Sequence, residues 1–265
     1  MMKFIYLLFL LFFLNCSGQV FGQQINYQSR DSNVNKDFQF EALQTEDIQK
    51  LYYQIVTTPK DIINGKECLP YSFRHETTPY FHSRDKLNAT LNANHRIYKN
   101  IKLQYDTFTD ELIYTDISRI VYNEFPRIEL NKDIINGFNL FIDGDSINFR
   151  NFRFPENQGK KLEDGFYEVV YEGKTLFIIK HHSLLYNKQG LDEYKYSPQR
   201  YVFEGDKYYK IHNKKSLISM AGDHSTEIKD FLHKSKIRVR SAGKDQIAEV
   251  LKYYDSLIAK GRLEK

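Results

Sequence analysis

Three hydropathic textures follow one another along the chain. An unbroken apolar run, Phe4 to Leu14, stands behind Met1, Met2 and Lys3. From Asn64-Gly65 to about Ile211, short apolar runs alternate with turn residues, the pattern of antiparallel strands that bury one face. After Ile211 the apolar spacing lengthens to three and four residues, which is helical.

The middle texture resolves into hairpins. Phe138 to Ile142 and Ser146 to Phe149 flank Asp143-Gly144, a pair that accepts the positive φ of a tight turn. Phe166 to Tyr171 and Thr175 to Lys180 flank Glu172-Gly173-Lys174, and Tyr201 to Phe203 and Tyr208 to Ile211 flank Gly205-Asp206. Lys102 to Tyr105 and Glu111 to Tyr114 enclose the loop Asp106 to Asp110. Beyond them, a short helix is expected behind Ser216 with Leu217, Ile218, Met220 and Ala221. A second follows Asp223 or Ser225, with Ile228, Phe231 and Leu232. A third carries Ile247, Val250, Leu251, Tyr254 and Ile258 as one stripe. Ahead of the strands, Leu43, Ile48, Leu51, Tyr52 and Ile55 suggest a helix that Thr58-Pro59 stops.

Strands first and helices last make the class α+β. The expected architecture is an antiparallel β sandwich or partly open barrel followed by a C-terminal helical segment. The boundaries read as a signal peptide over 1–22 and a flexible polar leader over 23–40. A β-rich domain with an N-terminal helix spans 41–214, and helices packed on it span 215–265.

The first texture carries the compartment. Eleven apolar residues are too few to span a bilayer, which takes about 20, yet they suit an export signal behind Lys3. Cleavage after Gly22 leaves a soluble chain; acylation of Cys16 makes a lipoprotein, although Asn15 stands where a small residue is usual. We favour the first and keep the second open. In either case Cys68 has no partner in the chain, so no disulfide framework is expected and the core must supply the stability. Cys68 itself reads as a small buried hydrophobe. The mature chain holds no further apolar run long enough to span a membrane, which places it in the periplasm, on the outer membrane or outside the cell.

Composition adds little. The net charge of +4 falls by one with Lys3. The 20 Tyr and 20 Phe accompany abundant Lys, Asn and Ile, all drawn from AT-rich codons, so the aromatic load is not by itself a binding platform. Lys207 to Arg240 holds nine basic residues against Asp223, Glu227 and Asp230. In an exported chain that excludes nucleic acid as the expected partner and leaves anionic lipid or polysaccharide, or simply the solvated face of amphipathic helices, as its reading.

Searches for catalytic spacing return near misses. His75-Glu76 is followed by Pro79 where a zinc-protease helix needs its second histidine, and proline opposes that helix. His181 and His182 would point to opposite faces of a strand, leaving only one of them to join His212 or His224. Asp143 with Asp145 lacks the ligand pattern of a calcium loop, and Asp106 with Asp110 brackets a turn, where Asp bonds its own backbone. No nucleophile elbow, P-loop or dinucleotide fingerprint occurs. No cofactor or metal is expected, and no residue is assigned a catalytic role.

Four segments together resemble a group of secreted or periplasmic proteins of Bacteroidota. They are Tyr98-x-Asn100-Ile101-x-Leu103-x-Tyr105-Asp106, Asp110-Glu111-Leu112, Gly165 to Val169 with Tyr171-Glu172-Gly173, and Tyr253-Tyr254-Asp255. The resemblance runs from about Gly65 to Leu257 and implies export and a shared β-rich fold, with no catalytic residues. The long leader and Ser72 to Arg84 depart from it. The expected function is that of an exported cell-envelope protein, a binding or assembly factor without enzymatic activity, whose partner is an envelope protein or a glycan. The rival is an envelope hydrolase of glycan or peptide that uses dispersed acids and histidines. The rival requires Asp106, Asp110, His181, His182 and His212 to meet in one cleft.

Overall fold

The computed structural model describes residues 62, 63, 65–71, 77–116, 120, 121, 124–155, 162–188 and 191–263. The expected export signal and leader, the helix expected before Pro59 and the His75-Glu76 pair lie outside them.

Thirteen strands precede three α-helices among the described residues. The strands are β1 (Lys66–Glu67), β2 (Leu87–Ala93), β3 (Arg96–Asp106), β4 (Glu111–Thr115), β5 (Arg127–Glu129), β6 (Ile135–Ile142) and β7 (Asp145–Phe152). They continue as β8 (Gly165–Glu172), β9 (Thr175–Lys180), β10 (Ser183–Lys188), β11 (Leu191–Tyr196), β12 (Gln199–Glu204) and β13 (Lys207–Lys210). The helices are α1 (Lys214–Met220), α2 (Ser225–Lys234) and α3 (Lys244–Leu263). Eleven strands form one open antiparallel sheet in the order β1-β5-β4-β3-β2-β6-β7-β8-β9-β12-β13, and β10 with β11 forms a separate hairpin. The protein is therefore α+β.

Local chemistry explains the turns. Asp143 and Gly144 both hold positive φ, 50° and 91°, so Ile142 pairs with Asp145 across a two-residue turn. The hairpins at Asp106 to Asp110, Gly173 and Gly205 form where the turn residues place them. One tight turn is less obvious: Asn94 and His95 both adopt left-handed φ, 54° and 60°, and fold β2 back on β3. α1 begins one turn earlier than Ser216 suggests, because Asn213 is its cap. The Asn213 side chain accepts from the Ser216 N–H while the Ser216 hydroxyl accepts from the Asn213 N–H, a reciprocal capping box.

The sheet coils strongly. β3 and β8 are four ladder steps apart, roughly 19 Å in a flat sheet. Yet the rings of Tyr105 and Phe166, one from each strand, have centroids 6.0 Å apart. Phe138 and Phe149 fill the space between them, and Leu91, Leu103, Leu112 and Leu140 surround this aromatic centre. Such curvature makes the sheet a partly open barrel whose two edges, β1 and β13, remain unjoined.

Farther along the same sheet, the helices take over as cover. Ile247, Val250, Leu251 and Tyr254 of α3 are buried in one cluster with Phe177 and Ile179 of β9 and Val202 of β12. The opposite face of those strands is covered by Tyr167, Ile178, Tyr201 and Leu162. Seven basic residues from Lys214 to Arg240 stay exposed while Leu217, Ile228, Leu232, Ile237 and Val239 are buried, so the basic excess there is the wet side of an amphipathic segment.

Candidate functional site

Coiling brings charged side chains from distant strands together, and each such group can be traced to its partners. Asp110 ends the β3–β4 turn in a left-handed conformation, φ 61°. Its carboxylate accepts from the Tyr105 hydroxyl at 2.7 Å, pairs with Lys180 at 2.7 Å and makes a short contact with Lys132. A Cβ at Gly165 would lie 1.9 Å from Asp110 Oδ2, so only glycine lets β8 pass this carboxylate. Burial pulls Lys180 below its ordinary range against the raising influence of Asp110. Asp106, at the other end of the turn, caps it by accepting from Phe108 N and Thr109 N, and it also accepts from the Tyr71 hydroxyl at 2.6 Å.

A second group centres on Glu168 of β8, whose side chain is 4% exposed. Glu168 faces His181 Nε2 at 2.8 Å and Lys244 Nζ, on the first residue of α3, at 2.5 Å. Burial pushes this carboxyl up, but the bonds and charges of His181 and Lys244 outweigh it and hold it below its ordinary value. Burial lowers His181, against the raising influence of Glu168. A carboxylate only accepts, so Nε2 carries the imidazole proton and the bare Nδ1 takes the Tyr196 hydroxyl. The order phenol, imidazole, carboxylate is that of a nucleophile, its base and an orienting group. Burial and then the charge of Glu168 raise Tyr196 above its ordinary range, however, which opposes an activated phenol.

Two surface clefts are lined by other residues. The larger, about 410 Å³, sets Lys66 and Lys132 against Glu111 and Glu129, so its charges balance. The smaller, about 180 Å³, is lined by Tyr71, Thr77, Thr78, Tyr80, Arg84, Lys86, Gln104 and Arg127, with no carboxylate among the described lining residues. Gln104, 5% exposed, ties the Arg84 backbone to the Arg127 guanidinium. Its amide nitrogen donates to the Arg84 carbonyl at 2.6 Å and its oxygen accepts from Arg127 Nη2 at 3.2 Å. The same Nη2 donates to the Tyr80 hydroxyl at 2.6 Å. Arg127 Nε is buried and has no hydrogen-bond partner among the described residues. Behind the cleft, Tyr71 packs edge-on against both Tyr80 and Tyr194, with centroids 5.7 and 5.3 Å away.

Neither cleft is lined by Asp106, Asp110, His181, His182 or His212. His181 and His182 form the two-residue link from β9 to β10 and so lie between strands, not on one as expected; His181 is buried and His182 half-buried. His212 is exposed beside the α1 cap, His224 approaches Glu227 at 3.5 Å, and Asp143 sits in its hairpin turn. Among the described residues, no three His, Cys, Asp or Glu side chains are grouped to hold a metal ion, and no helix is long and apolar enough to cross a membrane. Cys68 is half-buried, and burial pushes its thiol up to about 11. Gln104 and Arg127 carry no local signal, and Glu168 stands out only as part of the Gly165 to Val169 segment with no role attached, because each meets its partners only through ladder pairing and coiling. Comparison of the chain with protein-family models, with curated proteins and with solved structures finds no match, so the functional reading rests on these residues.

Proposed function

We propose that the chain is an exported cell-envelope protein that binds its partner without chemistry, through the cleft bounded by Tyr71, Tyr80, Arg84, Lys86 and Arg127. One observation carries this reading. Arg127, Lys86, Tyr71 and Tyr80 line one open cleft, and the guanidinium of Arg127 is fixed there by Gln104 and Tyr80 while its buried Nε has no hydrogen-bond partner among the described residues. By contrast, Asp110 is engaged by Tyr105 and Lys180, and Glu168 by His181, inside the fold. The hydrolase reading retains one point in its favour, the Tyr196–His181–Glu168 order.

Affinity purification from the native envelope tests the proposal, comparing the tagged wild type with Thr78→Trp, which fills the cleft with an indole. The expected result is a partner recovered with the wild type and lost with the variant. Recovery of the same partners by both proteins would sink the proposal. If Tyr196→Phe instead abolishes turnover of an envelope glycan or peptide by the purified protein, the hydrolase reading replaces it.

A further inference from the structure

We infer that the outer face of β2, β6 and β7 binds a neutral polysaccharide laid across the strands, on a surface separate from the cleft. The inner face of these three strands is core, with Leu91, Phe138 and Phe149 paired across the ladder. The outward residues between them form rows: Asn88, Phe141 and Ser146 in one, Thr90, Asn139 and Asn148 in the next. Neighbouring strands lie about 4.8 Å apart and neighbouring rows about 7 Å.

This face departs from an ordinary solvated sheet in two ways. Charge is scarce: Asp145 and Arg150 are the only charged residues among the 23 of these strands, in a chain that is 27% charged. Asp145 opens β7 next to the hairpin turn, and Arg150 is taken by Glu172 in a bidentate pair. AT-rich codons favour Lys as much as Asn, yet no lysine occurs in the three strands, so codon bias does not account for the pattern. The second departure is one of residue type. Asn is depleted in strands, but Asn88, Asn92, Asn139 and Asn148 take outward places on all three. Among them stands Phe141, 43% exposed, outside every core cluster. Residues that break local preference without a packing gain mark function.

Their chemistry selects the ligand. Asn148 Nδ2 donates to Asn139 Oδ1 at 2.6 Å, which leaves the Asn139 amide nitrogen and the Asn148 amide oxygen as a donor and an acceptor in one row with the Thr90 hydroxyl. Paired donors and acceptors without charge match the hydroxyls of a sugar, and the Phe141 ring supplies an apolar surface for the C–H face of a pyranose. An acidic polymer would meet Lys102 of β3 beside Asn88 at the border, but no cation within the rows. A protein partner would find one aromatic ring and no apolar centre to bury.

Affinity electrophoresis of the full chain from Gln23 onward, in native gels cast with dextran, laminarin, mannan or xylan and with polygalacturonate as the acidic arm, tests the inference. At least one neutral polysaccharide should retard the protein, and polygalacturonate should retard it less. For that polysaccharide, calorimetric affinity should change less than twofold between about 50 and 500 mM salt. Phe141→Leu, which keeps bulk but removes the ring, should weaken binding about fivefold, and Phe141→Tyr should preserve it. Asn148→Ala, also at an exposed position, should weaken it about threefold. Thr78→Trp, which fills the cleft, should leave it unchanged. Retardation by no neutral polysaccharide, stronger retardation by polygalacturonate, a severalfold loss with salt or full binding by Phe141→Leu overturns the inference and leaves the cleft assignment standing. Polysaccharide binding abolished by Thr78→Trp but kept by Phe141→Leu also overturns it, and moves the sugar to the cleft.

Discussion

Asp255 anchors α3 to the β8–β9 hairpin, and its loss should be measurable. Oδ2 accepts from the Tyr171 hydroxyl at 2.8 Å, Lys174 N at 2.7 Å and Thr175 N at 3.2 Å, while Oδ1 accepts from the Thr175 hydroxyl at 2.9 Å. In Asp255→Ala, water can reach Tyr171 and the exposed Lys174, but Thr175 is fully buried and keeps two unmet donors. At about 1–3 kcal/mol for each, the loss centres on about 4 kcal/mol. Alanine returns about 0.5 kcal/mol through its helix propensity, leaving about 3 kcal/mol. For a chain of this size that lowers the melting temperature by about 6–12 °C.

Calorimetry or circular-dichroism melts of three variants separate the causes. Asp255→Asn can keep a carbonyl toward the backbone donors and offer its amide to the Thr175 oxygen, so it should lose only about 1–2 kcal/mol, the charge reinforcement. Tyr171→Phe, which removes one solvent-reachable donor, should lose about 1 kcal/mol. An Asp255→Ala protein melting within about 2 °C of wild type would refute the reasoning. An asparagine variant as unstable as the alanine one would show that charge, and not unmet donors, dominates.

Acid should unfold the protein in two steps. The folded chain holds His181 below its ordinary 6.5 and Glu168 below 4.5, so the unfolded chain binds more protons as pH falls, and stability is lost first below about 6.5 and again below about 4.5. Urea midpoints measured across pH should show both losses and His181→Gln should erase the upper one; a midpoint flat from pH 7 to 5 in the wild type contradicts this. With its thiol pushed up to about 11, Cys68 should react with iodoacetamide at pH 7.5 about a hundredfold more slowly in the folded than in the unfolded chain, and native labelling at the unfolded rate would show the thiol to be open. Removing everything after Arg240 strips Ile247, Val250, Leu251 and Tyr254 from the cluster they share with β9 and β12. At about 1.5–3 kcal/mol each, an upper bound of about 6–12 kcal/mol, the truncated chain should be insoluble or melt far below full length, and an unchanged melt would mean that the helix is not holding the sheet.

Local signals reached the fold because hairpins are local. Asp143-Gly144 and Gly205-Asp206 carry their turn geometry in two residues, and the strands beside them follow. Asn94-His95 escaped because, without a glycine, the tolerance of Asn and His for left-handed φ is only a weak mark, and with it went β2, the strand that joins β3 to β6. Of the cleft, nothing local survives: Tyr80, Gln104 and Arg127 stand 23 or more positions apart and meet only because β3, β4 and β5 lie side by side. His181 stood out as one of a pair of histidines, but the pair was the wrong feature. Its partner is Glu168, 13 positions away across the β8–β9 ladder.

Three carboxylates tie elements together: Asp110 of the β3–β4 turn to Lys180 of β9, Glu168 of β8 to His181 after β9 and to Lys244 of α3, and Asp255 of α3 to the β8–β9 turn, so all three are matched by donors or cations. Buried charges so placed add little net stability over apolar packing, yet removing one partner strands the other, which makes them strict about geometry. Each therefore selects one degree of coiling and one seat for α3 out of the arrangements that an aromatic core of this size would tolerate. A group that specifies the fold in this way has its hydrogen-bonding capacity spent. Among the described residues Arg127 differs from these three: its Nη2 is held by Gln104 and Tyr80, while its buried Nε has no hydrogen-bond partner. That contrast is what directs the binding proposal to the cleft that Arg127 lines and away from the carboxylates.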